Sequence, residues 1–138
     1  MRFFRLMFAT LLLSFAATHA LAQQHVVYHF DDAATQAMKG LRNIRNHLDG
    51  DPTVQITVVA LGPGVDMLMP GYKDANASDY AAQVTALKAR GVKFEVCENT
   101  MKGRNLKMEQ FLPEIDTTPA GVVRLAKLQG QGFAYIKP

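Results

Sequence analysis

The residues best suited to chemistry lie in Lys93-Phe94-Glu95-Val96-Cys97-Glu98-Asn99-Thr100-Met101, where the only cysteine of the chain stands at the point a hydrophobic alternation gives way to polar side chains. A thiol there has three uses. It is a small buried filler, a partner for a thiol of another molecule, or a nucleophile. In a strand, Val92, Phe94 and Val96 share one face while Lys93, Glu95 and Cys97 share the other, so the cysteine falls with charged residues. A helix opening at Asn99 or Thr100 would lower its pKa through unpaired N–H groups, whereas the nearby Glu95 and Glu98 would raise it. Cys97 is the candidate catalytic residue, with Asn99 and Thr100 as auxiliaries.

Two other segments carry groups of interest. His29, at the end of His25-Val26-Val27-Tyr28-His29-Phe30, can hold or move a proton and is a further auxiliary candidate, though a histidine within an apolar strand also serves as a hydrogen-bonded core residue. Gly62-Pro63-Gly64 follows an apolar strand, and the amides of Gly62 and Gly64 in such a turn can face an anion. The same sequence reads equally as a tight turn into a short helix, since no P-loop lysine or dinucleotide fingerprint follows. No organic cofactor is indicated. One cysteine among scattered histidines makes no zinc site, and no serine sits in a nucleophile elbow.

The elements that must position these groups alternate. Strands are predicted at residues 25–30, 54–61, 92–97, 114–117 and 133–136. A helix over 33–48, opened by Asp31 or Asp32, places Ala34, Ala37, Met38, Leu41, Ile44, the stem of Arg45 and Leu48 on one face. A second is capped by Ser78 or Asp79 and stopped by Gly91, with Tyr80, Ala81, Val84 and Leu87 on its apolar side. Beyond Cys97, helical turns run to Gly103 and again over 106–112. Pro119 suits a first helical position, and Val122, Val123, Leu125, Ala126 and Leu128 supply the apolar face of a last helix ended by Gly130. Strict alternation of strand and helix predicts right-handed crossovers and a three-layer, flavodoxin-like α/β domain with a mainly parallel sheet of four to five strands.

The N-terminus reads differently. Arg2 and Arg5 precede an apolar run over 6–17, and Ala20-Leu21-Ala22 offers small residues for cleavage, so residues 1–22 are expected to be a Sec-type signal peptide and 23–138 a single exported domain. The run is shorter than the roughly 20 residues a membrane span needs, so no stable membrane insertion is expected after cleavage. Removing Arg2 and Arg5 leaves 13 basic against 12 acidic residues, and the formal charge falls from +3 to +1. The basic balance therefore gives no argument for nucleic acid.

Taken together, His29-Phe30-Asp31-Asp32, residues 43–48, Gly62-Pro63-Gly64-Val65, the Cys-x-Asn-Thr-Met segment at 97–101, Pro119-Ala120-Gly121-Val122 and the ending Leu128-Gln129-Gly130-Gln131-Gly132-Phe133-Ala134-Tyr135-Ile136-Lys137-Pro138 resemble the DsrE/DsrF-like family. Leu61 stands where related sequences often carry a histidine. The resemblance implies an α/β fold assembled as homotrimers or homohexamers, a link to sulfur metabolism, and a persulfide carried on Cys97 between a sulfur donor and an acceptor protein. With the leader it implies a periplasmic sulfur carrier. The alternative is a non-catalytic oligomeric module that binds a small ligand or anion and keeps Cys97 as a structural residue.

Overall fold

The computed structural model describes residues 22–77 and 79–138. The expected signal peptide therefore lies, Ala22 apart, outside the described residues, as does Ser78. Among the described residues no helix is long and apolar enough to cross a membrane.

The chain alternates β1 (His25–Phe30), α1 (Ala33–Gly50), β2 (Gln55–Ala60), α2 (Ala81–Ala89), β3 (Lys93–Cys97), α3 (Glu98–Gly103), β4 (Asp116–Thr118), α4 (Gly121–Gly130) and β5 (Ala134–Ile136). The five strands form one sheet in the order β4-β3-β2-β1-β5, and every pairing is parallel. This is the flavodoxin-like arrangement expected from the alternation. Parallel neighbours need a crossover, and the intervening helices supply it.

The two faces of the sheet are unequally covered. On one, α1 and α2 bury the large cluster built on Val26, Tyr28, Phe30, Leu41, Ile44, Ile56, Val58, Val84, Phe94 and Val96. On the other, α4 alone lays Leu125 and Leu128 over Val27 and Val59. The alternation of side chains along β1, β2 and β3 feeds both faces, which is why β2 is buried from Ile56 to Ala60.

Local details sharpen the sequence reading. Asp32 caps α1, its Oδ1 accepting from the Ala34 amide at 3.0 Å. The buried stripe of that helix is Ala33, Gln36, Ala37, Gly40, Leu41, Ile44 and Leu48, and Met38, expected on it, is 43% exposed. Asp79 receives the Ala81 amide at the start of α2. Residues 106–112 hold only one 3-10 turn, Met108–Gln110, and Pro119 precedes the N-cap Ala120 instead of opening α4. Val122 and Val123, expected in the core, are each 65% exposed because a single helix cannot bury every apolar side it presents to so wide a sheet.

Ile44→Ala, which empties a fully buried position of the larger core, is expected to cost about 2–5 kcal/mol in chemical denaturation. Met38→Ala on the same helix should stay within about 0.5 kcal/mol. Equal losses would contradict the assigned helix face.

Candidate functional site

Cys97 is the last residue of β3 and the N-cap of α3, with extended φ −70° and ψ 116°. It is 5% exposed, and the Gly121 N–H at the start of α4 donates to its Sγ at 3.2 Å. The backbone N–H groups of Asn99 and Thr100 and the Thr100 hydroxyl, at the start of α3, also favour the charged form of the sulfur. Burial pushes the thiol up, but these converging donors, the Gly121 amide foremost, outweigh it and hold the pKa below the ordinary cysteine value.

The approach of α4 depends on the absence of a side chain at Gly121. A Cβ there would lie 2.9 Å from Leu61 Cδ2, 3.2 Å from Leu61 Cβ and 3.3 Å from Cys97 Cβ, so a side chain would crowd the helix start against both residues. Thr100 links the site to the turn after β2, its Oγ1 accepting from the Gly62 N–H at 2.9 Å. That turn is a 3-10 segment, Gly62–Leu68, and it packs on the backbone end of β1: a Cβ on Gly64 would fall 2.2 Å from the Phe30 carbonyl oxygen. The Gly64 N–H donates to the Leu61 carbonyl at 3.0 Å. The anion-facing arrangement expected of Gly62 and Gly64 is thus not formed, because both amides have partners inside the protein.

Glu95, two residues before Cys97 on the same face, is buried, and Arg124 of α4 grips it in a fork of 2.7 Å (Nε to Oε2) and 2.6 Å (Nη2 to Oε1). Of Lys93, Glu95 and Cys97, only Lys93 is exposed, since α4 lies over the other two. A cleft of about 380 Å³ is lined by Glu95, Thr118, Ala120, Arg124 and Lys127 among others; Cys97 does not line it, although Thr118 pairs in register with Cys97.

The DsrE/DsrF-like family model matches residues 6–138. This chain belongs to the DsrE/DsrF-like family. The family is linked to sulfur metabolism. The DsrE/DsrF-like chain is similar to a protein of unknown function, MTH1491 from Methanobacterium thermoautotrophicum, at 30% identity and a TM-score of 0.76, over 84% of this chain and 100% of that one. It also shares its fold with the ychN protein from E. coli, at 14% identity and a TM-score of 0.69, over 84% and 99% of the two chains. No curated protein matches the sequence.

Among the expected auxiliaries, Thr100 through its amide and hydroxyl and Asn99 through its amide favour the Cys97 anion, and the residue Asn99 is exposed. His29 is not brought there. It lies on β1, two strands from β3 at about 4.8 Å per strand, and its Nδ1 hydrogen-bonds the Tyr135 hydroxyl on β5 at 2.7 Å, away from the sulfur. Its Nε2 is buried with no hydrogen-bond partner among the described residues. Burial lowers the His29 pKa, Lys137 adds to that, and Asp31 opposes it. Among the described residues no group of three or more histidine, cysteine or carboxylate side chains is placed to hold a metal.

Sequence reasoning missed two parts of the site, the Gly121 amide and the Glu95–Arg124 fork. The first had a signal, because glycine is a poor helix former and stands here at the first position of a helix.

Thr100→Val, which removes the hydroxyl, and Gly121→Ala, which keeps the amide but crowds it away from the sulfur, should each raise the pH midpoint of Cys97 alkylation, by up to about one unit. Unmoved midpoints would show that these donors do not hold the thiolate. A second expectation concerns His29. Since its folded pKa lies below the unfolded value of about 6.5, the unfolded chain binds the extra proton first, and stability should fall as pH drops from about 6.5 through the folded pKa. Denaturation of His29→Gln should lose that slope between mildly acidic and neutral pH, and a slope identical to the parent's would discount His29 as its source.

Proposed function

We propose that this chain is a periplasmic sulfur carrier that holds sulfane sulfur on Cys97 as a persulfide. The observation that carries the reading is the Gly121 N–H donating to the Cys97 sulfur at 3.2 Å, with the Asn99 and Thr100 groups that favour the anion and family membership as support. A structural cysteine needs no such donors, whereas a thiolate that attacks and leaves in turn does.

In the loading step the Cys97 thiolate attacks the outer sulfur of a donor persulfide, R–S–SH. The S–S bond of the donor breaks, a new S–S bond forms, and the donor departs as R–S⁻ while Cys97 becomes Cys–S–SH. An acceptor thiolate then attacks the outer sulfur, forming its own persulfide and returning the Cys97 thiolate. Neither transfer changes the overall redox state. Donor and acceptor are protein thiols that reach the cleft by α4. Export follows from the leader read over residues 1–22.

Assembly as a homotrimer or homohexamer is supported by the thinly covered face of the sheet. There Val122 and Val123 are 65% exposed and Tyr135 is 42% exposed, an apolar surface suited to a second copy. The second reading, a ligand-binding oligomer with an inert Cys97, draws on one observation, the 5% exposure of that residue.

Intact mass of residues 23–138 after incubation with a small persulfide donor decides between them. The carrier gains the mass of one sulfur, which dithiothreitol removes, and Cys97→Ser gains nothing. A chain whose Cys97 alkylates yet takes up no sulfur would sink the carrier reading and favour the binding module.

A further inference from the structure

We infer that Glu95 and Arg124 form the clamp that sets the first turn of α4 over Cys97, which makes them positioning residues for the sulfur. The inference rests on the reading of Cys97 as the working atom. The fork and the Gly121 N–H to Cys97 Sγ bond both join the start of α4 to β3, in the same spatial order along the two antiparallel elements. Glu95 precedes Cys97 by two residues on one face of the strand, about 6.6 Å along it. Arg124 follows Gly121 by three residues on the helix, about 4.5 Å along its axis. The Arg124 amide closes the first turn of that helix by donating to the Ala120 carbonyl at 2.9 Å. A fork of 2.6 and 2.7 Å at one rung therefore fixes the height and rotation of the amide that reaches the sulfur at the next.

The apolar packing of α4 does not supply this. Leu125 and Leu128 are anchored over Val27 of β1 and Val59 of β2, while Val122 and Val123 face outward. The helix is held by its apolar side on the middle of the sheet and by the fork over β3. Burial of an ion pair is a poor route to stability, since the cost of removing two charges from water largely cancels their attraction. It is a good route to a fixed geometry, because a planar guanidinium meets a carboxylate in one orientation.

The test uses the chain 23–138 and reads the rate of Cys97 alkylation by iodoacetamide across pH. The double variant E95Q/R124M removes one charge of each sign and abolishes the fork at constant net charge. It should alkylate about five- to tenfold more slowly at neutral pH, with its midpoint displaced upward by about one unit. Leu48→Ala, which weakens the core on the opposite face, should lower the unfolding midpoint and leave the alkylation profile in place. A double variant with the parent profile, or a profile moved as far by Leu48→Ala, would overturn the inference.

If circular dichroism shows the double variant unfolded, two single variants decide. Removing a carboxylate near a thiolate would by electrostatics alone speed E95Q, so slower alkylation of E95Q, together with slowing in R124K, upholds the clamp. Faster E95Q or an unaltered R124K overturns it. Sulfur uptake is measured separately by mass. A chain that takes up no sulfur but shows these shifts loses the carrier reading and keeps the clamp, and the reverse result loses only the clamp.

Discussion

The hydrogen bond from the Gly121 amide to Cys97 Sγ is the contact around which the rest of the site is arranged. It joins the end of β3 to the start of α4, two elements separated by α3 and the edge strand β4. Every other feature of the site serves it or depends on it. Glycine at 121 allows the approach, Leu61 fills the space beside it, and the Glu95–Arg124 fork ties the same helix one turn further along. The amides at the start of α3 also favour the anion, and the Thr100 hydroxyl ties that helix to the turn at Gly62.

This arrangement resolves a conflict between two physical tendencies. A thiol placed out of water is pushed toward its neutral form, and most buried cysteines stay there. Here burial removes solvation from the sulfur while backbone dipoles replace it, so the pKa is lowered in spite of burial. Backbone donors suit this task better than a lysine would, because they add no net charge to a pocket that already holds the Glu95–Arg124 pair. The thin cover on this face of the sheet leaves open the cleft that Glu95, Thr118 and Arg124 line.

Much of the fold was legible because it rests on local patterns. The β-branched run at 54–61, the acidic cap before α1 and the stop at Gly91 each act within a few residues, and the alternation of strand and helix then dictates a parallel sheet. The location of Cys97 at a strand end beside a helix start was legible for the same reason. The unread parts depend on distant partners. Side-chain parity put Glu95 and Cys97 on one face, yet could not say that α4 would bury that face, since Arg124 lies 29 positions from Glu95. The amides of Gly62 and Gly64 looked free for an anion until Thr100, 38 positions on, and Leu61 took them. His29 turned to Tyr135, 106 positions away, through the pairing of β1 with β5 that closes the sheet on that side.

The central claim is that the amides around Cys97 lower its pKa in spite of burial. The most direct measurement is the ultraviolet thiolate absorbance of the chain titrated with pH, with the Cys97→Ser signal subtracted. The account predicts a midpoint below that of the same chain unfolded in urea. A midpoint at or above that value would contradict it.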